Sequence, residues 1–99
     1  MAKLTIVYWR DIPAQVIAKE KRTTAKRVLP ERFEKAIDRA AMRSGARDTD
    51  AYLAEWRRGD PAPCGEDLEA EADAAAARLE VEYDDDRLAA LVASGGRNE

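Results

Sequence analysis

The chain of 99 residues contains no histidine and one cysteine. The first absence removes imidazole acid–base catalysis and histidine metal ligation. The second removes an intramolecular disulfide framework, and with it any thiolate-built zinc or iron–sulfur site within one chain. No apolar run approaches the roughly 20 residues that span a bilayer. The start, Met-Ala-Lys-Leu-Thr-Ile-Val, lacks the length and small-residue cleavage site of a secretory signal. These readings predict a cytoplasmic protein. Aromatics are scarce, at 6% of residues, and no glycine-rich phosphate loop is present.

What is present is charge and alanine. Hydrophobic residues make up 45% of the chain, but many are alanine, which offers little area at about 25 cal/mol per Å². The core is therefore expected from a few large residues: Ile6, Tyr8, Trp9, Ile12, Ile17, Phe33, Ile37, Tyr52, Leu53, Trp56, Leu68, Leu79 and Tyr83. The net charge of −3 conceals an asymmetry, with residues 1–58 at +6 and residues 59–99 at −9. Such a split makes either a basic binding face or two halves that attract each other.

Leu4-Thr5-Ile6-Val7-Tyr8-Trp9 is β-branched and aromatic, which predicts a strand over 3–10. Asp11-Ile12-Pro13-Ala14 reads as a turn, since proline lacks an N–H and restricts the residue before it. Gln15–Lys19 then reads as a second, antiparallel strand, and Thr23–Leu29 as a third strand or a loop. From Glu31, the spacing of Phe33, Ala36, Ile37, Ala40 and Ala41 has the 3.6-residue period of an amphipathic helix, ended by Gly45. A second helix is expected from Asp48 or Thr49, carrying Tyr52, Leu53 and Trp56 and stopped at Gly59. Residues 60–65 read as a proline-stiffened linker. A third helix opens near Glu66 with Leu68, Ala72, Ala75, Ala76, Leu79 and Tyr83 on one stripe, 79–83 being alternatively a strand. Asp84-Asp85-Asp86 caps a last helix bearing Leu88, Leu91 and Val92, which ends at Ser94-Gly95-Gly96. The expected class is α+β: an N-terminal antiparallel hairpin or three-stranded sheet packed by three or four helices. Residues 1–96 form the expected single domain, with 97–99 a disordered tail.

Three clusters invite a functional reading. Lys19, Lys21, Arg22, Lys26 and Arg27 would grip phosphates if a hairpin rim gathers them, or serve as a solvated, aggregation-resistant edge. Trp9, Arg10 and Asp11, with Gln15, supply the residue types that anchor interfaces, and strand alternation turns only one of Tyr8 and Trp9 inward. Arg57 and Arg58 follow a helix end, where cations are favourable without any function. Cys64 has no imidazole to activate it, and Glu66 and Asp67 oppose thiolate formation. The Asp84–Asp86 run lacks calcium-loop spacing and reads as a cap. No catalytic residue, metal site or cofactor is expected.

The string Val7-Tyr8-Trp9-Arg10-Asp11-Ile12-Pro13-Ala14-Gln15-Val16, with Leu29–Phe33, Ala36–Ala41 and Tyr52–Trp56, resembles the small bacterial virulence factor domain family. The resemblance covers residues 4–58 most specifically. It implies no catalytic residues. Longer relatives join this domain to an iron–sulfur scaffold domain that this chain lacks, so no cluster chemistry comes with it. Short relatives are encoded beside methylenetetrahydrofolate reductase, which implies an accessory subunit of a one-carbon enzyme. The resulting expectation is a non-enzymatic protein-interaction domain contacting its partner through Trp9, Arg10, Asp11 and Gln15. The alternative is a nucleic-acid-binding regulator using Lys19–Arg27. A homodimer joined along the alanine-rich third helix is a further expectation.

Overall fold

The computed structural model describes residues 2–45 and 49–96. Three strands come first: β1 (Lys3–Trp9), β2 (Ile12–Glu20) and β3 (Thr23–Val28). They are followed by α1 (Glu31–Ser44), α2 (Thr49–Ala54), β4 (Trp56–Arg58), β5 (Ala62–Pro63), α3 (Leu68–Glu82) and α4 (Asp85–Ala93). The fold is α+β. All strand pairings are antiparallel, in the order β3-β2-β1-β4, with β5 also on β1. The Asp48 cap and the 97–99 tail expected from the sequence lie outside the described residues.

Both hairpins close through two residues, Arg10-Asp11 and Lys21-Arg22. The first residue of each turn, Arg10 and Lys21, has a φ of 54°. This corrects the turn expected at 11–14, because Ile12 and Pro13 already belong to β2. Proline is accommodated beside an irregularity: Val7 pairs with Gln15 and Tyr8 with Pro13, so Ala14 stands unopposed. The Ala14 carbonyl instead accepts the Leu29 N–H at 3.0 Å.

The segment expected to continue α2 to Gly59 departs from the helix at Glu55. Trp56–Arg58 is a strand on β1, with Trp56 opposite Trp9 and Arg58 opposite Val7. The following linker also touches the sheet, through Ala62 opposite Leu4 and Pro63 opposite Lys3. Residues 79–82 are helical, as the alanine-rich lead-in favours. Gly45 caps α1 with a φ of 81°, and Asp67 and Asp84 cap α3 and α4 by accepting N–H bonds from Ala70 and Arg87.

α3 packs on β2 and β3, and α1 packs on β2 and α4. Trp9, Ile12, Val16, Leu29, Phe33 and Ile37 share one core with Ala75, Leu79, Leu88 and Leu91. A smaller cluster joins Ala18 and Ala25 of the strands to Leu68 and Ala72 of α3, where small residues on both sides let helix and sheet approach closely. Ala72 and Ala75 of α3 are thus spent within the chain, while Ala70, Ala74 and Ala77 stay exposed. Ile17 is buried but belongs to neither cluster, and Leu53, expected in the core, is 57% exposed. No helix among the described residues is long and apolar enough to cross a membrane.

Candidate interaction surface

Trp9, Arg10 and Asp11 form a junction and not a surface. Trp9 is 0% exposed and donates its indole N–H to the Tyr52 carbonyl at 2.9 Å. Its ring stacks on Tyr52 at 5.8 Å and lies against Gly96, where a Cβ would come within 3.0 Å of it. Arg10 donates to the Gly95 carbonyl at 2.7 Å and faces Glu55 at 3.4 Å. The Asp11 N–H bonds the Gly96 carbonyl at 2.8 Å, and its carboxylate meets Arg57 at 3.0 Å. The first hairpin is therefore clasped between the α2–β4 segment and the end of α4. The expectation that Trp9 contacts a partner is corrected by its burial, and Arg10 is largely occupied within the chain. Strand alternation turned only one of Tyr8 and Trp9 inward, and the structure buries Trp9 while Tyr8 stays half-buried.

The basic cluster divides. Arg27 reaches across to α3 and is held by Asp73 and Glu69, which raise its pKa above the ordinary guanidinium value. Arg32 likewise bridges to the acidic half, donating to the Glu80 and Tyr83 carbonyls and facing Asp85 at 3.7 Å. Part of the charge asymmetry is thus satisfied inside the molecule. Lys21 and Arg22 occupy the β2–β3 turn.

Lys19 and Lys26 point the other way. In β1 and β2, Leu4, Ile6, Val16 and Ala18 meet the helices, so the alternating residues occupy the opposite face. Register places them in three rows: Lys3, Lys19 and Thr24; Thr5, Ile17 and Lys26; Arg58, Val7, Gln15 and Val28. None of the members of these rows belongs to either core cluster, and the third row borders α1 and the α2–β4 segment at Gln15 and Val28. Lys3, Lys19, Thr24, Lys26, Val28 and Arg58 are exposed, Val28 by 79%. Neighbouring strands are about 4.8 Å apart and successive rows about 7 Å, so four cations surround a small apolar centre. Lys3 and Lys19 stand directly opposite each other, a like-charge arrangement that destabilises a sheet. Among the described residues no carboxylate forms an ion pair with Lys3, Lys19, Lys26 or Arg58. Of the contact residues expected from the sequence, Gln15 alone lies on this face. Lys3 and Arg58 were missed; the period-2 signal marks Lys3 as facing with Lys19 only once register is known.

Residues 7–92, most of the chain, match the model of a family described as virulence factor. The chain belongs to the virulence factor family. In this member the matched span runs from the middle of β1 into α4, so it holds the clasp except for its Gly95-Gly96 end. Searches of curated proteins and of solved structures found no match. The distinctive Trp-Arg-Asp string serves architecture here, joining sequence-distant segments of this virulence factor domain.

Elsewhere the surface offers little chemistry. Among the described residues no group of three or more Cys, Asp or Glu is arranged to hold a metal ion. Cys64 packs beside the smaller core cluster, and its pKa is raised by burial, then by Glu71 and Glu20, which differ from the acids expected from sequence proximity. A shallow cleft of about 260 Å³ between β1 and α3 is lined by Leu4, Ile6, Tyr8 and Leu79. Burial raises the Tyr8 pKa, and the Arg57 guanidinium, 4.5 Å from its ring, opposes that.

Proposed function

We propose that this virulence factor domain is a non-enzymatic accessory module that docks an acidic protein surface on its uncovered sheet face. The observation that supports this reading is the set of four exposed cations on that face, none of them in an ion pair among the described residues, including the Lys3–Lys19 opposition. A like-charge pair left uncompensated within the chain is relieved when a partner brings carboxylates against it. Exposed Val28 and half-buried Val7 supply the apolar centre that a protein interface needs beneath its polar rim. The family resemblance directs the search to a one-carbon enzyme, methylenetetrahydrofolate reductase, as the partner.

The test is calorimetric titration of the purified reductase from the same host into the domain. Lys19→Glu with Lys26→Glu is expected to weaken binding at least tenfold and leave the fold intact, both side chains being exposed. Unchanged affinity removes the face from the interface.

Nucleic-acid binding is the second reading, favoured by Lys21 and Arg22 standing at the turn beside the Lys19–Lys26 face. Arg27, engaged by α3, drops out of that set. The three rows hold no aromatic ring on which a base would stack. An RNA oligonucleotide binding with an affinity that falls steeply with salt would make this the better account.

A further inference from the structure

The third row of the open face ends at a notch of about 340 Å³, formed where Gln15 and Val28 meet α1 and the α2–β4 segment. Its chemistry is opposite to that of the face. Tyr52 and Trp56 contribute aromatic walls, packed edge to face at 5.9 Å. Glu34 and Asp38 of α1 contribute carboxylates one helical turn apart. Among the described residues neither carboxylate forms an ion pair, although the chain carries 17 lysines and arginines. Both lie close enough to raise the Tyr52 pKa, after burial, against a hydrogen bond from Trp56 that lowers it.

Two aromatic walls and two unpaired carboxylates around one concavity match a planar organic cation. A guanidinium stacks on an indole or phenol ring while its edge donates to carboxylates, whereas an ammonium is a compact point charge that does only the second. A metal ion would gain nothing from the rings, and an anion would be repelled. We infer that the Glu34–Asp38–Tyr52–Trp56 notch receives an arginine side chain of the docked protein partner. This inference rests on the protein-docking reading for the origin of the arginine. The notch itself is testable without any partner. Basic face and acidic notch adjoin through Gln15 and Val28, so a partner presenting carboxylates with one arginine at their margin would be read in a single orientation.

The probe is N-acetyl-arginine amide, titrated into the isotopically labelled domain while the indole and backbone N–H resonances are followed. The Trp56 resonance is expected to shift saturably, with a dissociation constant of about 1 mM for so small a ligand. The backbone amide of Ala72, in the smaller core cluster and outside the notch lining, serves as the internal control. N-acetyl-lysine amide is expected to bind several-fold more weakly. Glu34→Gln with Asp38→Asn removes two exposed carboxylates that repel each other, so the variant stays folded, and its arginine affinity is expected to fall at least tenfold. Lys19→Glu with Lys26→Glu is expected to leave arginine binding in place. A Trp56 resonance unmoved at tenfold excess over the expected constant overturns the inference, as does equal binding by the carboxamide variant. Arginine binding without reductase docking would remove the docking reading and leave the cation site standing.

Discussion

Replacing Trp9 with phenylalanine separates structural from contact roles for the Trp-Arg-Asp string. The indole is fully buried, and its N–H is bonded to the Tyr52 carbonyl at 2.9 Å. Phenylalanine removes roughly 40 Å² of apolar area, about 1 kcal/mol, and leaves space beside Gly96. The carbonyl would retain only the longer bond from the Glu55 N–H, 3.3 Å. That residual partner puts the hydrogen-bond loss at the lower end, about 1 kcal/mol. With the cavity left behind, the total destabilisation is about 2–3 kcal/mol. For a chain of this length that lowers the melting temperature by roughly 10–20 °C. Thermal and urea unfolding followed by circular dichroism measure it directly. Partner affinity of the folded fraction, taken well below the melting point, should be unchanged. An unaltered melting temperature combined with lost partner binding would refute the clasp and restore Trp9 to the surface.

Gly96→Ala should destabilise by about 1–3 kcal/mol, since a φ of 92° and a Cβ 3.0 Å from Trp9 combine strain with a clash; urea unfolding reads it. Lys21→Gly should stabilise by about 0.5–1 kcal/mol, because an exposed non-glycine residue is held at a φ of 54°. Cys64 should alkylate more slowly than a free thiol at pH 8, its raised pKa leaving less thiolate; a rate equal to that of a model peptide contradicts the burial. The tyrosine pKa shifts predict an alkaline limb. Tyr8 and Tyr52 are raised in the fold, so the folded state holds their protons longer, and that contribution is complete below the unfolded value of 10.0. Stability should fall as pH rises above it, as urea midpoints against pH would reveal.

Periodicity carried most of the helical layer, because one buried stripe repeats every 3.6 residues. Phe33, Ala36, Ile37, Ala40 and Ala41 are all buried, and Gly45 caps as a left-handed residue should. The sheet was less legible. Pro13 suggested a turn because its local cost is visible in sequence, whereas the unopposed Ala14 that accommodates it is a property of the pairing. Trp56-Arg57-Arg58 followed a helical pattern yet pairs with β1, a tertiary choice that three residues cannot announce. The site was legible only in part. Lys19 and Lys26 were visible as charge, but their separation from Arg27 depends on which face each strand position takes. The notch joins residues 14–56 through five elements, β2, β3, α1, α2 and β4, and no local spacing foretells it.

The clasp also constrains when this domain can finish folding. Arg10 and Asp11 are synthesised 85 positions before their carbonyl partners at Gly95 and Gly96. During synthesis the strand pair can form locally, but Trp9 keeps an uncovered side until α4 is delivered. Contacts of such long sequence separation slow folding and leave apolar surface open to wrong partners meanwhile. Truncation before Gly95 should accordingly yield a chain with native-like hairpins and a substrate's affinity for holding chaperones, so that the Gly95-Gly96 turn after α4 acts as the lock on the first hairpin.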